Sequence, residues 1–162
     1  MKERILTSLL TVFVISGIQA QAPSPVPKLV VGLTIDQLRA DYIEAFSALY
    51  GERGFKRLLK EGRIYTNAEY DFINVDRSSA TASIYTGTTP YYNGIPSNRW
   101  MDRGSLRIIK SVDDQDFMGV YTSESSSAKL LRCSTLSDEL KVATQGRAEV
   151  YSIAPTREMA IL

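Results

Sequence analysis

The sequence predicts an α/β fold, a mostly parallel central sheet flanked by helices. Three observations carry this. Residues Lys28 to Ile35, KLVVGLTI, form a short apolar run rich in β-branched side chains, with a proline before it and an acid after it. Ala148 to Ala154 is a second such run. Between them lie stretches with apolar residues at helical spacing, so strands alternate with helices as in βαβ units. The two runs are expected to be neighbouring or near-neighbouring parallel strands, with Asp36 at a carboxyl end.

The remaining elements follow in order. QLRADYIEAFSALYG, from Gln37, sets Leu38, Tyr42, Ala45, Phe46 and Leu49 on one helical face and stops at Gly51. A second helix, from about Gly54 to Lys60, carries Phe55, Leu58 and Leu59 and ends at Gly62. Arg63 to Phe72 alternates weakly and reads as a strand. Ser78 to Tyr85 is small and apolar and reads as a short helix, and Gly87 to Pro96 is rich in turn residues. Leu106–Ile109 and Phe117–Tyr121 read as minor strands or a hairpin within an inserted loop region. Ser134 to Leu140 opens a capped helix that ends at Gly146. Glu158 to Leu162 reads as a new element beginning, so the chain is expected to be a fragment of a longer protein.

The first residues read as an export signal. Lys2 and Arg4 precede an apolar stretch from Ile5 to Ile18, shorter than the ~20 residues that span a bilayer. Ala20 suits the last position before cleavage. Residues 21–27 then form a Pro-rich linker, and the main domain runs from 28 to 162. A periplasmic or extracellular location is expected, with no membrane span once the signal is removed. In such an oxidising compartment the single cysteine, Cys133, is expected to be buried packing.

Composition narrows the chemistry. Apolar residues make up 44% and charged residues 23%, so the chain is an ordinary globular sequence and not a disordered one. The formal charge is +1, which gives no nucleic-acid-binding signal. Its 162 residues include no histidine. These residues alone therefore build no Ser-His-Asp triad, no Cys-His dyad and no His-ligated metal.

Candidate site residues cluster after the first strand and around residues 74–98. Asp36 stands at the carboxyl end of the first apolar run, where open α/β sheets bind ligands. It suits a cation or a phosphate-bearing metal, and equally an N-cap on the helix from Gln37. Ser78 and Ser79 stand where a helix begins. Either could be an activated nucleophile near the outward-pointing N–H groups, or a cap and a small packing residue. Asn98 could offer its amide to a ligand, or simply be an exposed loop residue.

Together these residues carry a resemblance. KLVVGLTIDQLRADY and ASIYTGTTPYYNGIPSNRW, in that order and at that separation, resemble the alkaline phosphatase superfamily. The branch is the type I phosphodiesterase/nucleotide pyrophosphatase group, in particular its bacterial secreted alkaline phosphatases. STLSDELKVAT and AEVYSIA are similar to the helix and strand that follow in that group.

The resemblance implies an alkaline phosphatase-like fold, apparently truncated, and a phosphoester or other anionic small-molecule ligand. It also implies two zinc ions, one of them held by Asp36, with the remaining ligands outside this chain. The family nucleophile is a Thr or Ser in a pattern like T-x-P-x-H-A-S-x-x-T-G. Anchored on Ala82-Ser83 and Thr86-Gly87, its His position holds Thr81 and its nucleophile position holds Arg77. Asn98 matches the family's phosphate-contacting Asn in the same register. A Lys and an Arg of the bacterial branch correspond to Thr156 and Glu158, with Arg157 between them.

Two function classes follow. In a secreted metal-dependent phosphoester hydrolase, Asp36 would hold zinc, Ser78 would attack phosphorus as a displaced nucleophile, and Asn98 would stabilise the phosphoryl oxygens. In a catalytically inactive member, Arg77 would anchor a phosphate or sulfate and Ser78 would cap the helix.

Overall fold

The structure is a computed structural model that describes residues 26–162, so the expected export signal and most of the linker lie outside the described residues. The chain divides into residues 1–30 and 31–162. Of the first unit, residues 26–30 are irregular and exposed.

Six helices and four short strands are described, in the order α1 (Ala40–Ala45), α2 (Phe55–Glu61), α3 (Arg77–Thr86), α4 (Pro90–Asn93), β1 (Arg99–Met101), β2 (Ile108–Lys110), β3 (Asp113–Met118), β4 (Ser125–Ser126), α5 (Leu136–Ala143) and α6 (Arg157–Ile161). β1 pairs antiparallel with β2, Trp100 opposite Ile109, and β3 with β4, Asp113 opposite Ser126. These two hairpins occupy the expected inserted loop region.

Helix α3 organises the core. It packs against α4, α5 and α6, and its Ala82 joins Ile95, Val112 and Leu162 in the buried cluster, flanked by Leu130, Leu131 and Ile161. Asp76 caps its N-terminus through a box with Ser79, and Gly87 at φ +67° ends it. Gly94 closes α4 at φ +84°, where an added Cβ would lie 2.9 Å from the Leu130 carbonyl oxygen. Thr135 caps α5 in a box with Asp138.

Several expectations are corrected. Lys28–Ile35, Arg63–Phe72 and Ala148–Ala154 have no ladder partner among the described residues, and the expected parallel pair is not hydrogen-bonded there. A strand is defined by its neighbour's N–H and C=O groups, which the side-chain pattern does not supply. Gly32 and Thr34 of the first run lie beside Tyr85 of α3. The Thr34 hydroxyl is 3.1 Å from the Tyr85 hydroxyl, and Tyr85 also covers Gly32. The other face, Val31 and Leu33, is exposed.

The helix expected from Gln37 starts only at Ala40, because Gln37 sits at φ +60° in a turn. It gives way to a 3-10 turn at Ser47–Leu49. Its N-cap is Arg39, so Asp36 is not a cap. Cys133 is half-buried, not buried, and its thiol donates to the Tyr92 carbonyl.

Candidate functional site at the start of helix α3

The site forms where the turn after Lys28–Ile35 meets the first residues of α3 and the loop before β1. Arg77 is the first residue of α3. Its Nε and Nη2 both donate to Asp36 Oδ2 at 3.2 Å, across 41 residues of sequence. The pair is partly open to solvent. The Nη1 amine has no hydrogen-bond partner among the described residues. A guanidinium carries five N–H donors in a fixed fork, so the ion pair leaves donors free for an anion.

Ser78 lies the other way. It is fully buried, and its Oγ is 2.8 Å from Ser111 Oγ. The placement that a displaced nucleophile requires, a hydroxyl beside the Asp36 carboxylate, is therefore not the one found. Adjacent residues on a helix point in different directions, and Arg77 takes the Asp36 side. Ser78 is not the cap either; Asp76 is. Ser79 is also buried and completes the capping box. The Thr81 hydroxyl donates back to the Arg77 carbonyl within the helix at 2.8 Å.

Asn98 joins this turn. Its Oδ1 accepts the Ser78 N–H at 2.9 Å. Because the donor is a backbone N–H, the oxygen end of the amide is fixed, and the NH2 is left without a partner among the described residues. Ser111 N–H donates to the Asn98 carbonyl at 3.0 Å.

Asp76 is not among the candidate residues named above, although Asp76-x-x-Ser79 is a legible capping pattern. Its Oδ1 accepts Ser79 N–H at 3.0 Å. Its Oδ2 accepts Ser97 Oγ at 2.7 Å and Asn98 N–H at 2.6 Å. Partial burial works to raise the Asp76 pKa. The bonds from Ser79 N–H, the Ser97 hydroxyl, Asn98 N–H and the Ser79 hydroxyl outweigh it and hold the carboxyl below its ordinary value.

Thr156, Arg157 and Glu158 belong to a different neighbourhood. The Arg157 guanidinium bonds Asp113, Glu124 at 2.8 Å and Ser126 at 3.0 Å, tying α6 to the β3–β4 hairpin. Thr156 Oγ1 is buried without a hydrogen-bond partner. Asp36 and Asn98 are exposed and Arg77 is half-buried, so these side chains are open to solvent.

The profile of the type I phosphodiesterase / nucleotide pyrophosphatase family matches residues 30–150. The chain belongs to that family. It is 40% identical over 139 residues to an alkaline phosphatase, PhoV, of Synechococcus elongatus, covering 84% of this chain and 25% of the relative. It is 34% identical over 161 residues to the alkaline phosphatase PafA of Elizabethkingia meningoseptica, covering 95% of this chain and 30% of the relative. The crystal structure of wild-type PafA superposes with a TM-score of 0.81 at 32% identity, over 85% of this chain and 27% of that one. The α/β class is thus that of the phosphodiesterase family, and this chain spans about a quarter of the length of the curated relatives it matches.

The two-zinc centre that the resemblance implies would need ligands beyond the residues described here. No group of three or more His, Cys, Asp or Glu able to hold a metal occurs among them. Asp36, the residue matched to a zinc ligand, already carries a guanidinium, and a divalent cation at that oxygen would meet a like charge a few ångströms away.

Proposed function

We propose that this protein is a secreted member of the phosphodiesterase family that binds, and does not cleave, a phosphate- or sulfate-bearing ligand. The observation that carries this reading is the Arg77–Asp36 pair at the family's nucleophile position. Arginine stays protonated at any ordinary pH, so it is no in-line nucleophile. It is a good partner for a tetrahedral oxyanion, because its planar fork matches two of the oxygens. The Nη1 amine of Arg77 and the NH2 of Asn98, without partners among the described residues, are the donors offered to that anion. Zinc bound through Asp36 would require Arg77 to move and further ligands from outside these residues.

The competing reading is a metal-dependent hydrolase with Ser78 as nucleophile. It requires Ser78 Oγ to leave its buried bond to Ser111 and the turn to rotate by one residue. One experiment separates the two. Full-length protein is assayed with a phosphomonoester and a phosphodiester in the presence of zinc, and titrated calorimetrically with inorganic phosphate. No turnover is expected, with phosphate binding that disappears in Arg77→Ala. Turnover abolished by Ser78→Ala would restore the hydrolase.

Export rests on Lys2, Arg4, the apolar stretch and Ala20. No helix among the described residues is long and apolar enough to cross a membrane. N-terminal sequencing of protein from the periplasm or medium should read from Gln21; an intact Met1 on exported protein would reject cleavage.

A further inference from the structure

The Asp76 carboxylate divides its two oxygens between two pieces of chain. Oδ1 faces the start of α3 and takes Ser79 N–H at 3.0 Å. Oδ2 faces the loop before β1 and takes Ser97 Oγ at 2.7 Å and Asn98 N–H at 2.6 Å. The residue immediately after Asp76 is Arg77, and the residue that Oδ2 holds is Asn98. Three contacts then fix Asn98: Asp76 on its N–H, Ser111 N–H on its carbonyl at 3.0 Å, and Ser78 N–H on its side-chain oxygen at 2.9 Å.

We infer that Asp76 is a positioning residue that holds Asn98 against the first turn of α3, which begins at Arg77, in addition to capping α3. Its consequence for ligand binding rests on the anion-binding reading above. The role needs a carboxylate. Two charge-assisted bonds converge on Oδ2 while Oδ1 remains engaged with the helix. An asparagine has a single acceptor oxygen and caps helices as well as aspartate does, so it keeps the cap and releases the loop. A serine has one short-reaching hydroxyl and does the same. The capping and positioning roles are therefore separable by substitution.

The test uses the full chain carrying Asp76→Asn, with Asp76→Ser as a second variant, and reads amide hydrogen exchange residue by residue. Ser79 N–H reports the cap and Ser78 N–H reports the bond to Asn98. The expected result is unchanged protection at Ser79 and through the rest of α3, with protection at Ser78 reduced by about tenfold or more, the worth of one hydrogen bond to a well-held acceptor. Phosphate affinity, measured by calorimetry with inorganic phosphate, is expected to fall by about tenfold in the same variants. Unchanged protection at Ser78 in both variants overturns the proposal. So does an equal loss along the whole of α3, which would make Asp76 a cap and nothing more. The anion reading fails separately, if wild-type protein takes up no phosphate or if Arg77→Ala binds it as well as wild type does.

Discussion

At the scale of single residues, the chemistry of this site turns on which partner each polar side chain finds. Asp36 and Arg77 neutralise each other at an exposed surface, where such pairs contribute ~1 kcal/mol or less. Asp36→Asn should therefore leave the thermal midpoint nearly unchanged. It should tighten phosphate binding by up to about fivefold, since the anion no longer competes with a carboxylate for the guanidinium. A calorimetric titration checks this, and weaker binding would contradict it.

Asp76 behaves differently because it accepts several bonds in the folded state. Its folded pKa is depressed, so its contribution is present above the unfolded carboxylate value of ~3.9 and is lost as pH falls through the lower folded value. Wild type should exceed Asp76→Ala in stability by about 1–2 kcal/mol at neutral pH. The gap should close in acid, as denaturant melts at a series of pH values would record.

At the scale of elements, α3 is the helix on which α4, α5 and α6 pack. Its apolar contribution to the core is small, and Ala82 lets Ile95, Val112 and Leu162 approach closely. Ile95→Ala removes the largest fully buried side chain among the described residues and should cost about 2–5 kcal/mol. Gly94→Ala should also destabilise, both through its left-handed φ and through contact with the Leu130 carbonyl and the Arg132 side chain. Urea unfolding followed by circular dichroism measures both. A Gly94→Ala protein as stable as wild type would show that the α4 turn relaxes freely.

Over the whole second unit, the exposed apolar runs dominate solution behaviour. Val31 and Leu33 are 76% and 78% exposed, and Ile153 is 99% exposed. Their backbones have no ladder partner among the described residues. Unpaired apolar edges recruit other chains. A polypeptide of these 162 residues should self-associate, and Val31→Lys with Leu33→Lys should shift sedimentation profiles toward monomer. Monomeric wild type at tens of micromolar would contradict this expectation.

Helices α2, α3 and α5 were legible in the sequence, because capping residues, stop glycines and apolar spacing act within a few residues of one another. Family membership was legible too, since it rests on KLVVGLTID, the Thr86-Gly87 turn and Asn98 in register. The hydrogen-bonding of the apolar runs was not, because a strand depends on a neighbour remote in sequence. The role of Asp36 stayed open between cap and ligand until the fold brought Arg77 to it from 41 residues away. Ser78 and Ser79 looked alike as hydroxyls at a helix start; one step of helical rotation sends them to different partners, Ser111 and Asp76. Local bonding is written in neighbouring residues, whereas the environment of a polar side chain is set by whatever the chain packs beside it, and only the tertiary structure supplies that.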